Sequence, residues 1–126
     1  MILGVGVDIL SIARISAIVG RGATDRFARR ILCKCELTSL QTHTTAEAKT
    51  GFLATRWCLK EALYKAAYPH QVLRWHDIRV YKEGPKLAAE VSWSPSLPRI
   101  NTHVSISHDQ GLLVGYAVIE APYKNT

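Results

Sequence analysis

A long helical segment dominates the middle of this sequence and limits the folds open to it. Thr45 suits the residue before a helix, and Glu47 suits its first turn. Tyr68-Pro69 must end the helix, because proline has no amide hydrogen with which to continue the hydrogen-bond pattern. We therefore predict one helix from about Thr45 to Ala67. Apolar side chains at helical spacing form its broad core-facing stripe: Phe52, Leu53, Trp57, Leu59 and Leu63.

Strand-forming segments flank that helix and define the fold class. Residues 2–8 combine Ile, Leu and Val with Gly4 and Gly6, which predicts a buried strand that another backbone can approach closely. Strands at both ends of a chain with helices between them imply an α+β domain, here antiparallel strands packed with one long helix and shorter helices. The other predicted strands are residues 77–81, 86–93, 103–107 and 112–120.

The segment between the first strand and the long helix is helical and strongly basic. We predict one short helix that ends at Gly20-Arg21-Gly22, a second at residues 26–31 and a third that opens near Cys35. From residue 14 to residue 34 the chain carries six basic residues and a single acid. With 126 residues and a net charge of +6, we expect one domain, residues 1–126, with an anionic partner.

The three cysteines, Cys33, Cys35 and Cys58, are not the even, closely paired set that a disulfide framework needs. We expect small, mostly buried free thiols in a reducing compartment, either the cytosol or the mitochondrial matrix, since the sequence opens on a strand without a leader pattern. Cys33-Lys34-Cys35 has the spacing of part of a metal site, but the ligands that would complete a tetrahedron are missing nearby.

Three charged residues are candidates for chemistry. Asp8 closes the first predicted strand at the sheet edge, where a purely structural role would be to cap a turn or the following helix. Glu61 and Lys65 lie four residues apart on one helix face, so their alternative role is a surface ion pair. Two carboxylates, Asp8 and Glu61, suit a hard cation such as Mg²⁺, which takes oxygen ligands and shares them with substrate phosphates.

Basic and histidine side chains can neutralise phosphate charge beside such a metal. Arg56, Lys65 and His108 are suited to that task, and phosphoryl-type transfer needs mainly alignment and charge stabilisation. A Ser-His-Asp hydrolase is disfavoured, since Ser107, His108 and Asp109 are contiguous whereas a triad joins separated elements. The sequence also lacks a glycine-rich phosphate loop, which argues against a nucleoside triphosphatase.

Four motifs follow one another along nearly the whole chain. They are Gly4-Val5-Gly6-Val7-Asp8-Ile9, Arg26-Phe27-Ala28-Arg29-Arg30-Ile31-Leu32 with Glu36-Leu37, Phe52-Leu53-Ala54-x-Arg56-Trp57-Cys58-x-Lys60-Glu61-Ala62-x-x-Lys65-Ala66, and His103-Val104-Ser105-Ile106-Ser107-His108. In this order they resemble the holo-acyl-carrier-protein synthases, the small class of 4′-phosphopantetheinyl transferases. The chain departs from that family's pattern at Tyr68-Pro69-His70-Gln71, where many members have a Gly-Thr-Gly-type turn, and at Trp57-Cys58, where they have smaller residues.

The resemblance implies a reaction and a site. The reaction is Mg²⁺-dependent transfer of 4′-phosphopantetheine from coenzyme A to a serine of apo acyl carrier protein, with 3′,5′-ADP as the other product. The implied metal ligands are Asp8 and Glu61, and Glu61 and Lys65 are the implied catalytic residues, with Glu61 assisting deprotonation of the serine. Coenzyme A, the co-substrate, would be held by Arg56, Lys65, Ser107 and His108.

The resemblance also implies partners. Arg14 and Arg21 match the helix that faces the acidic helix of the carrier protein, which assigns a role to the basic segment. The family works as a homotrimer with active sites between subunits, and serves fatty acid biosynthesis. Charges at the rim of such an interface chiefly raise the association rate and weaken with salt.

Two other function classes compete with the transferase. The basic segment from residue 14 to residue 34 would also suit a non-catalytic nucleic-acid-binding module, although Phe27 is the one aromatic residue in it on which a base could stack. A catalytically inactive adaptor is disfavoured, because Asp8, Glu61 and Lys65 are all present.

Overall fold

The computed structural model describes residues 1–123, which form five strands and four α-helices. In chain order, the α-helices come after the first strand and before the other four strands, as the sequence predicts for an α+β fold. The elements in chain order are β1 (Ile2–Ser11), α1 (Ile12–Gly20), α2 (Thr24–Ile31), α3 (Lys34–Leu40), α4 (Ala46–Ala67), a 3₁₀ turn (Trp75–Asp77), β2 (Ile78–Glu83), β3 (Lys86–Val91), β4 (Asn101–Asp109) and β5 (Leu112–Glu120).

The strands form two antiparallel sheets. The larger sheet has the order β1-β5-β4, so the first and last strands pair with each other and β5 is the central strand. Its register places Asp8 opposite Gly115, and Gly115 in turn opposite Ile106. The smaller sheet is the β2–β3 hairpin, which turns at Gly84 with a positive φ of 60°.

Helix α4 lies across one face of the larger sheet and is buried along most of its length. A side chain on Gly4 would fall on the carbonyl oxygen of Ala66, and one on Gly6 would fall on that of Ala62. Glycine is therefore required on β1 because the strand backbone touches the helix backbone. This contact confirms the close approach predicted from the two glycines.

The predicted long helix is confirmed. Thr45 precedes its first residue, and the Thr45 hydroxyl accepts a hydrogen bond from the Ala48 amide at 3.0 Å, which caps the helix. The stripe predicted to face the core does so: Phe52, Leu53, Leu59 and Leu63 are buried, and Trp57 is half-buried. None of the helices in residues 1–123 is long and apolar enough to span a bilayer.

A buried ion pair joins α4 to α3. The Lys60 ammonium contacts the Glu36 carboxylate at 2.7 Å and also donates to the carbonyl oxygens of Ile31 and Trp75, at 2.6 and 3.1 Å. The other Glu36 oxygen accepts from the Val80 amide at 3.2 Å. Every hydrogen of the ammonium has a partner, so the pair satisfies the condition under which a charge is tolerated in a core.

Strand β1 corrects one expectation, because it is buried on one face only. Val7 and Ile9 expose 53% and 65% of their surface. Alternate residues of a strand point to opposite faces, and α4 covers only one face of this sheet. The strand also runs to Ser11, three residues beyond its predicted end, so Asp8 lies within it rather than at its end.

The cysteines partly follow the expectation. All three are free thiols, but Cys58 is buried, Cys33 half-buried and Cys35 exposed. Burial raises the pKa of the Cys33 thiol to about 11 and that of the Cys58 thiol to about 12. Since the thiolate is the reactive form, these two thiols are inert near neutral pH.

Candidate active site

Asp8 is directed by its strand toward α4. Gly6 and Leu10, two residues away on either side, are the buried positions of β1, so Asp8 shares the helix-facing side of the sheet. Its side chain is 15% exposed and therefore accessible at the margin of the helix–sheet contact. The alternative role considered from the sequence, a cap of a turn or helix, does not apply, since Asp8 is a mid-strand residue paired with Gly115.

Lys65 pairs with Asp8, not with Glu61. Its ammonium contacts the Asp8 carboxylate at 3.2 Å and donates to the Val7 carbonyl oxygen at 2.9 Å. The i,i+4 surface pair considered from the sequence is therefore replaced by a contact between residues 57 positions apart. The Lys65 side chain is 49% exposed, so water can reach the ammonium.

Glu61 completes a cluster of opposite charges with these two residues. Burial raises the pKa of the Glu61 carboxyl and the nearby Asp8 carboxylate raises it further, whereas Lys65 and Arg14 act in the opposite direction. The two carboxylates thus repel each other across a partly desolvated space, which a cation relieves. A base with a raised pKa is also better matched to proton transfer near neutral pH.

The donor set of this cluster is consistent with Mg²⁺. Asp8 and Glu61 supply carboxylate oxygens only, and Mg²⁺ prefers oxygen donors and keeps several positions for water and substrate phosphate. No group of three or more histidine, cysteine or acidic side chains converges as a metal site within residues 1–123. A chelating site of the zinc type is therefore not formed by this part of the chain, and the Cys33-Lys34-Cys35 spacing does not build one.

Arg56 lies outside this cluster. It is nine positions before Lys65 on α4, about half a revolution around the helix axis. The guanidinium is buried over the Phe52 ring at 3.8 Å from its centroid, donates to the Thr55 hydroxyl at 3.0 Å and leaves its Nε without a partner. Burial lowers its pKa. Within one chain Arg56 therefore lies apart from the Asp8 carboxylate, and its expected role in binding coenzyme A stays a prediction.

Ser107 and His108 also lie apart from the cluster. They are exposed near the end of β4, where His108 pairs with Leu113 of β5. They line a shallow cleft with other residues of the strand ends: Ile9, Asp109, Gln110, Leu112 and Val114. Asp8, Glu61 and Lys65 do not line it.

Arg14 and Arg21 line one groove between α1 and α2, which we term the basic groove. It encloses about 330 Å³, and its basic rim is Arg14, Arg21, Arg26 and Arg30. Its apolar floor is Ile15, Ile18, Ala23, Phe27 and Trp57. The Phe27 and Trp57 rings stack with centroids 5.5 Å apart, and the Arg14 guanidinium lies 5.4 Å above Trp57. The charge of Arg14 also reaches Glu61, so this groove adjoins the charged cluster.

Sequence reasoning missed two features of this region. Trp57 is a wall of the basic groove as well as a core residue, and nothing in the helical pattern indicated that double role. The burial of Lys60 could have been predicted from the sequence. Lys60 continues the core-facing positions of α4 at helical spacing, and a charge at such a position needs a buried partner.

Comparisons with known proteins agree with one another. A model of the 4′-phosphopantetheinyl transferase superfamily matches residues 4–117. The holo-[acyl-carrier-protein] synthase of Mycoplasmoides gallisepticum is 35% identical over 120 residues, covering 95% of this chain and 98% of that protein.

Two solved structures are similar in both sequence and fold. A Bacillus anthracis holo-(acyl-carrier-protein) synthase in complex with CoA (3′,5′-ADP) aligns with a TM-score of 0.79 at 28% identity, covering 97% of this chain and 99% of that one. A Helicobacter pylori holo-[acyl-carrier-protein] synthase in complex with coenzyme A aligns with a TM-score of 0.66 at 31% identity, covering 92% and 99%.

Proposed function

Since the chain belongs to the holo-[acyl-carrier-protein] synthase family of the 4′-phosphopantetheinyl transferase superfamily, we propose a Mg²⁺-dependent transfer reaction for it. The serine oxygen of apo acyl carrier protein forms a bond to the phosphorus that bears pantetheine in coenzyme A. The bond from that phosphorus to the ADP oxygen breaks, and 3′,5′-ADP leaves. The observation that carries the proposal is the cluster of Asp8, Glu61 and Lys65, assembled from β1 and α4.

Asp8 and Glu61 are the residues that would hold Mg²⁺. Their mutual repulsion and oxygen-only donor set support this assignment. When bound there, the ion supplies positive charge that neutralises the phosphates of coenzyme A.

Glu61 and Lys65 act on the reacting groups. The Glu61 carboxylate accepts the serine proton, a role that its position in the cluster with Asp8 and Lys65 supports. Lys65 places its ammonium on the phosphates, and its exposure supports an exchange of Asp8 for phosphate as substrate arrives. Positioning and charge stabilisation account for most of the acceleration of phosphoryl-type transfers.

Arg56, Ser107 and His108 would hold coenzyme A from a neighbouring subunit. Each lies away from the Asp8 cluster of its own chain. A ligand that contacts these three residues and an Asp8 cluster would therefore lie where two chains meet. A continuous apolar face on the larger sheet supports such an assembly, which we propose to be a homotrimer. The exposed apolar residues of that face are Val5, Val7, Ile9, Leu112, Val114 and Tyr116.

The basic groove would bind the acyl carrier protein. Arg14 and Arg21 present positive charge above an apolar floor, which matches an acidic amphipathic helix. The Arg14 side chain lies near Glu61. A carrier bound in the groove would therefore present its serine beside the reacting phosphate.

Mass spectrometry of intact carrier protein tests the proposal. Apo acyl carrier protein incubated with this chain, coenzyme A and Mg²⁺ should gain the mass of one phosphopantetheine, and an EDTA control should not. A folded protein that modifies none of several carriers would overturn the proposal and restore the nucleic-acid-binding alternative.

A further inference from the structure

Helix α2 forms one side of the basic groove. Its residues Arg26 and Arg30 belong to the basic rim, and Phe27 belongs to the apolar floor. The helix has eight residues and buries two of them, Ala28 and Ile31. A helix of this length is not stable by itself in water, so its place in the fold depends on contacts with neighbouring segments.

Two side chains from outside α2 bind the carbonyl oxygens of its last turn. The Lys60 ammonium donates to the Ile31 carbonyl oxygen at 2.6 Å, and His76 Nε2 donates to that of Arg29 at 3.1 Å. The last carbonyls of a helix have no partner within the helix, and positive charge near them is favourable. Lys60 also donates to the Trp75 carbonyl oxygen at 3.1 Å. The end of α2 is therefore bonded both to α4 and to the 3₁₀ turn.

Stability alone does not account for the ion pair of Lys60 with Glu36. The two side chains are 0% and 1% exposed, and the desolvation of a buried pair cancels much of its attraction. Apolar side chains of similar volume often give equal or greater stability. Such side chains could not donate a hydrogen bond to the Ile31 carbonyl oxygen, however. The specific contribution of the ammonium is therefore a fixed position for the end of α2.

We propose that Lys60 is a positioning residue for recognition of the carrier protein: it holds α2 where Arg26, Phe27 and Arg30 complete the basic groove. This inference rests on the proposed function, in which the groove binds acyl carrier protein. Lys60 is 1% exposed and does not itself contact the carrier, so it acts through the three residues of α2. Its loss should weaken carrier binding and leave the turnover of bound carrier unchanged.

The double variant Lys60→Met/Glu36→Gln tests this role. It removes the ammonium without leaving an unpaired buried carboxylate, and the new amide can still accept from the Val80 backbone. At saturating coenzyme A, KM for apo acyl carrier protein should rise about tenfold with kcat unchanged. A merely structural pair would alter stability and leave KM at the wild-type value. Ile119→Val is the stability control, since Ile119 lies in a core cluster that contains no residue of α2, and its KM should not change.

A further substitution shows whether Lys60 acts through α2. Arg30→Gln alone should raise KM for the carrier about threefold, the size expected for one exposed charge. In the Lys60→Met/Glu36→Gln background the same substitution should raise KM little further, because α2 no longer holds the rim in place. Fully additive effects would show that Lys60 influences carrier binding by another route, and would overturn the proposal.

His76→Ala tests the same positioning in a protein whose core is unaltered. His76 is exposed, so the variant should fold even where the double variant does not, and KM should rise about threefold with kcat unchanged. An unchanged KM in a folded double variant overturns the proposal, as does an unchanged KM in His76→Ala where the double variant is unfolded. Calorimetric titration with acyl carrier protein should give the same ratios as dissociation constants. Because that titration requires no transfer, wild-type binding without transfer would contradict the proposed reaction and still test Lys60.

Discussion

At the scale of single residues, the choice of partner by Lys65 defines the candidate site. The side chain can reach Glu61 within its own helix, yet it contacts Asp8 and the Val7 carbonyl of the adjacent strand. A half-exposed ion pair of this kind contributes roughly 0–1 kcal/mol, so it is readily exchanged. The Lys65 ammonium is therefore already paired with Asp8, and exchanging that contact for one with a phosphate costs little free energy.

The Glu61→Gln substitution should abolish most transfer without loss of stability. It removes the carboxylate that we propose as metal ligand and proton acceptor, so we expect kcat to fall by at least about a hundredfold in the mass-spectrometric transfer assay. Because the pKa of Glu61 is raised in the fold, its charged form is disfavoured there, and above that pKa the ionised carboxylate lowers stability. The neutral amide lacks this penalty, so the melting temperature of the metal-free protein should be unchanged or higher.

Glu47→Gln is the control for that experiment. Glu47 is an exposed residue in the first turn of the same helix, so the identical chemical change there should leave kcat unaltered. Near-normal turnover by Glu61→Gln would show that neither the metal nor the serine depends on this carboxylate.

At the scale of elements, the contact of α4 with β1 brings the cluster together. The two backbones touch at Gly4 and Gly6, and this approach brings Asp8 of the strand within reach of Lys65 of the helix. The opposite side of α4 is fixed by the buried Lys60–Glu36 pair. Removing one partner of such a pair typically costs about 3–5 kcal/mol, so the helix is held firmly on both sides.

Gly6→Ala should destabilise the fold, because its new methyl group falls on the Ala62 carbonyl oxygen. Overpacking of this kind costs about 1–3 kcal/mol, and here the obstacle is backbone rather than a side chain that could rotate. Urea unfolding should show a correspondingly lower free energy of unfolding. Gly51→Ala is the matched control: Gly51 is an exposed residue of α4 with nothing near its added methyl, and the substitution should stabilise by about 0.5–1 kcal/mol. If Gly6→Ala left the free energy of unfolding unchanged, β1 and α4 would have to lie further apart than this contact implies.

The basic groove makes a separate prediction for Arg21, the residue that follows α1. Arg21→Glu should raise KM for acyl carrier protein by about tenfold, with the affinity for coenzyme A unchanged, since a reversed rim charge acts on association with the acidic partner. The effect should shrink as salt is added. Arg99→Glu, the same charge reversal in the β3–β4 connection, should change neither parameter. If Arg21→Glu weakened the binding of coenzyme A and of acyl carrier protein equally, the basic groove would not be the carrier-binding surface.

At the scale of the whole molecule, the larger sheet is covered on one face only. Helix α4 packs on one side, whereas the other side exposes valine, isoleucine, leucine and tyrosine from β1 and β5. A contiguous apolar surface of this kind is typical of an interface. The proposed function requires that assembly also bring Arg56, Ser107 and His108 of one chain toward the Asp8 cluster of another.

Val114→Lys should therefore dissociate the assembly. Light scattering should give about three times the 14.0 kDa chain mass for the wild type and one chain mass for the variant. The reason is that Val114 is an outward-facing residue of the central strand, where three copies of a charge would be buried. Val72→Lys, which adds the same charge at an exposed residue before the 3₁₀ turn, should remain assembled. A Val114→Lys protein that keeps the wild-type mass would exclude this face as the interface.

The sequence by itself determined the elements of this protein and most of their bounds. The long helix, the three short helices and β5 follow from periodicity, from glycine turns and from Tyr68-Pro69, because these signals act between near neighbours in the chain. It also singled out Asp8, Glu61 and Lys65, the first two by their oxygen chemistry and Lys65 by its charge. The motifs around these residues indicated the family.

Only the tertiary structure decided which of those residues meet. It paired Lys65 with Asp8, buried Lys60 against Glu36, and turned Arg56 to the far side of α4. It also left one face of β1 open, although the composition of that strand indicates burial on both faces. These outcomes depend on contacts between segments far apart in the chain, whose energies come from packing and desolvation. Local sequence patterns can signal that a charge such as Lys60 is buried, but they do not identify its partner.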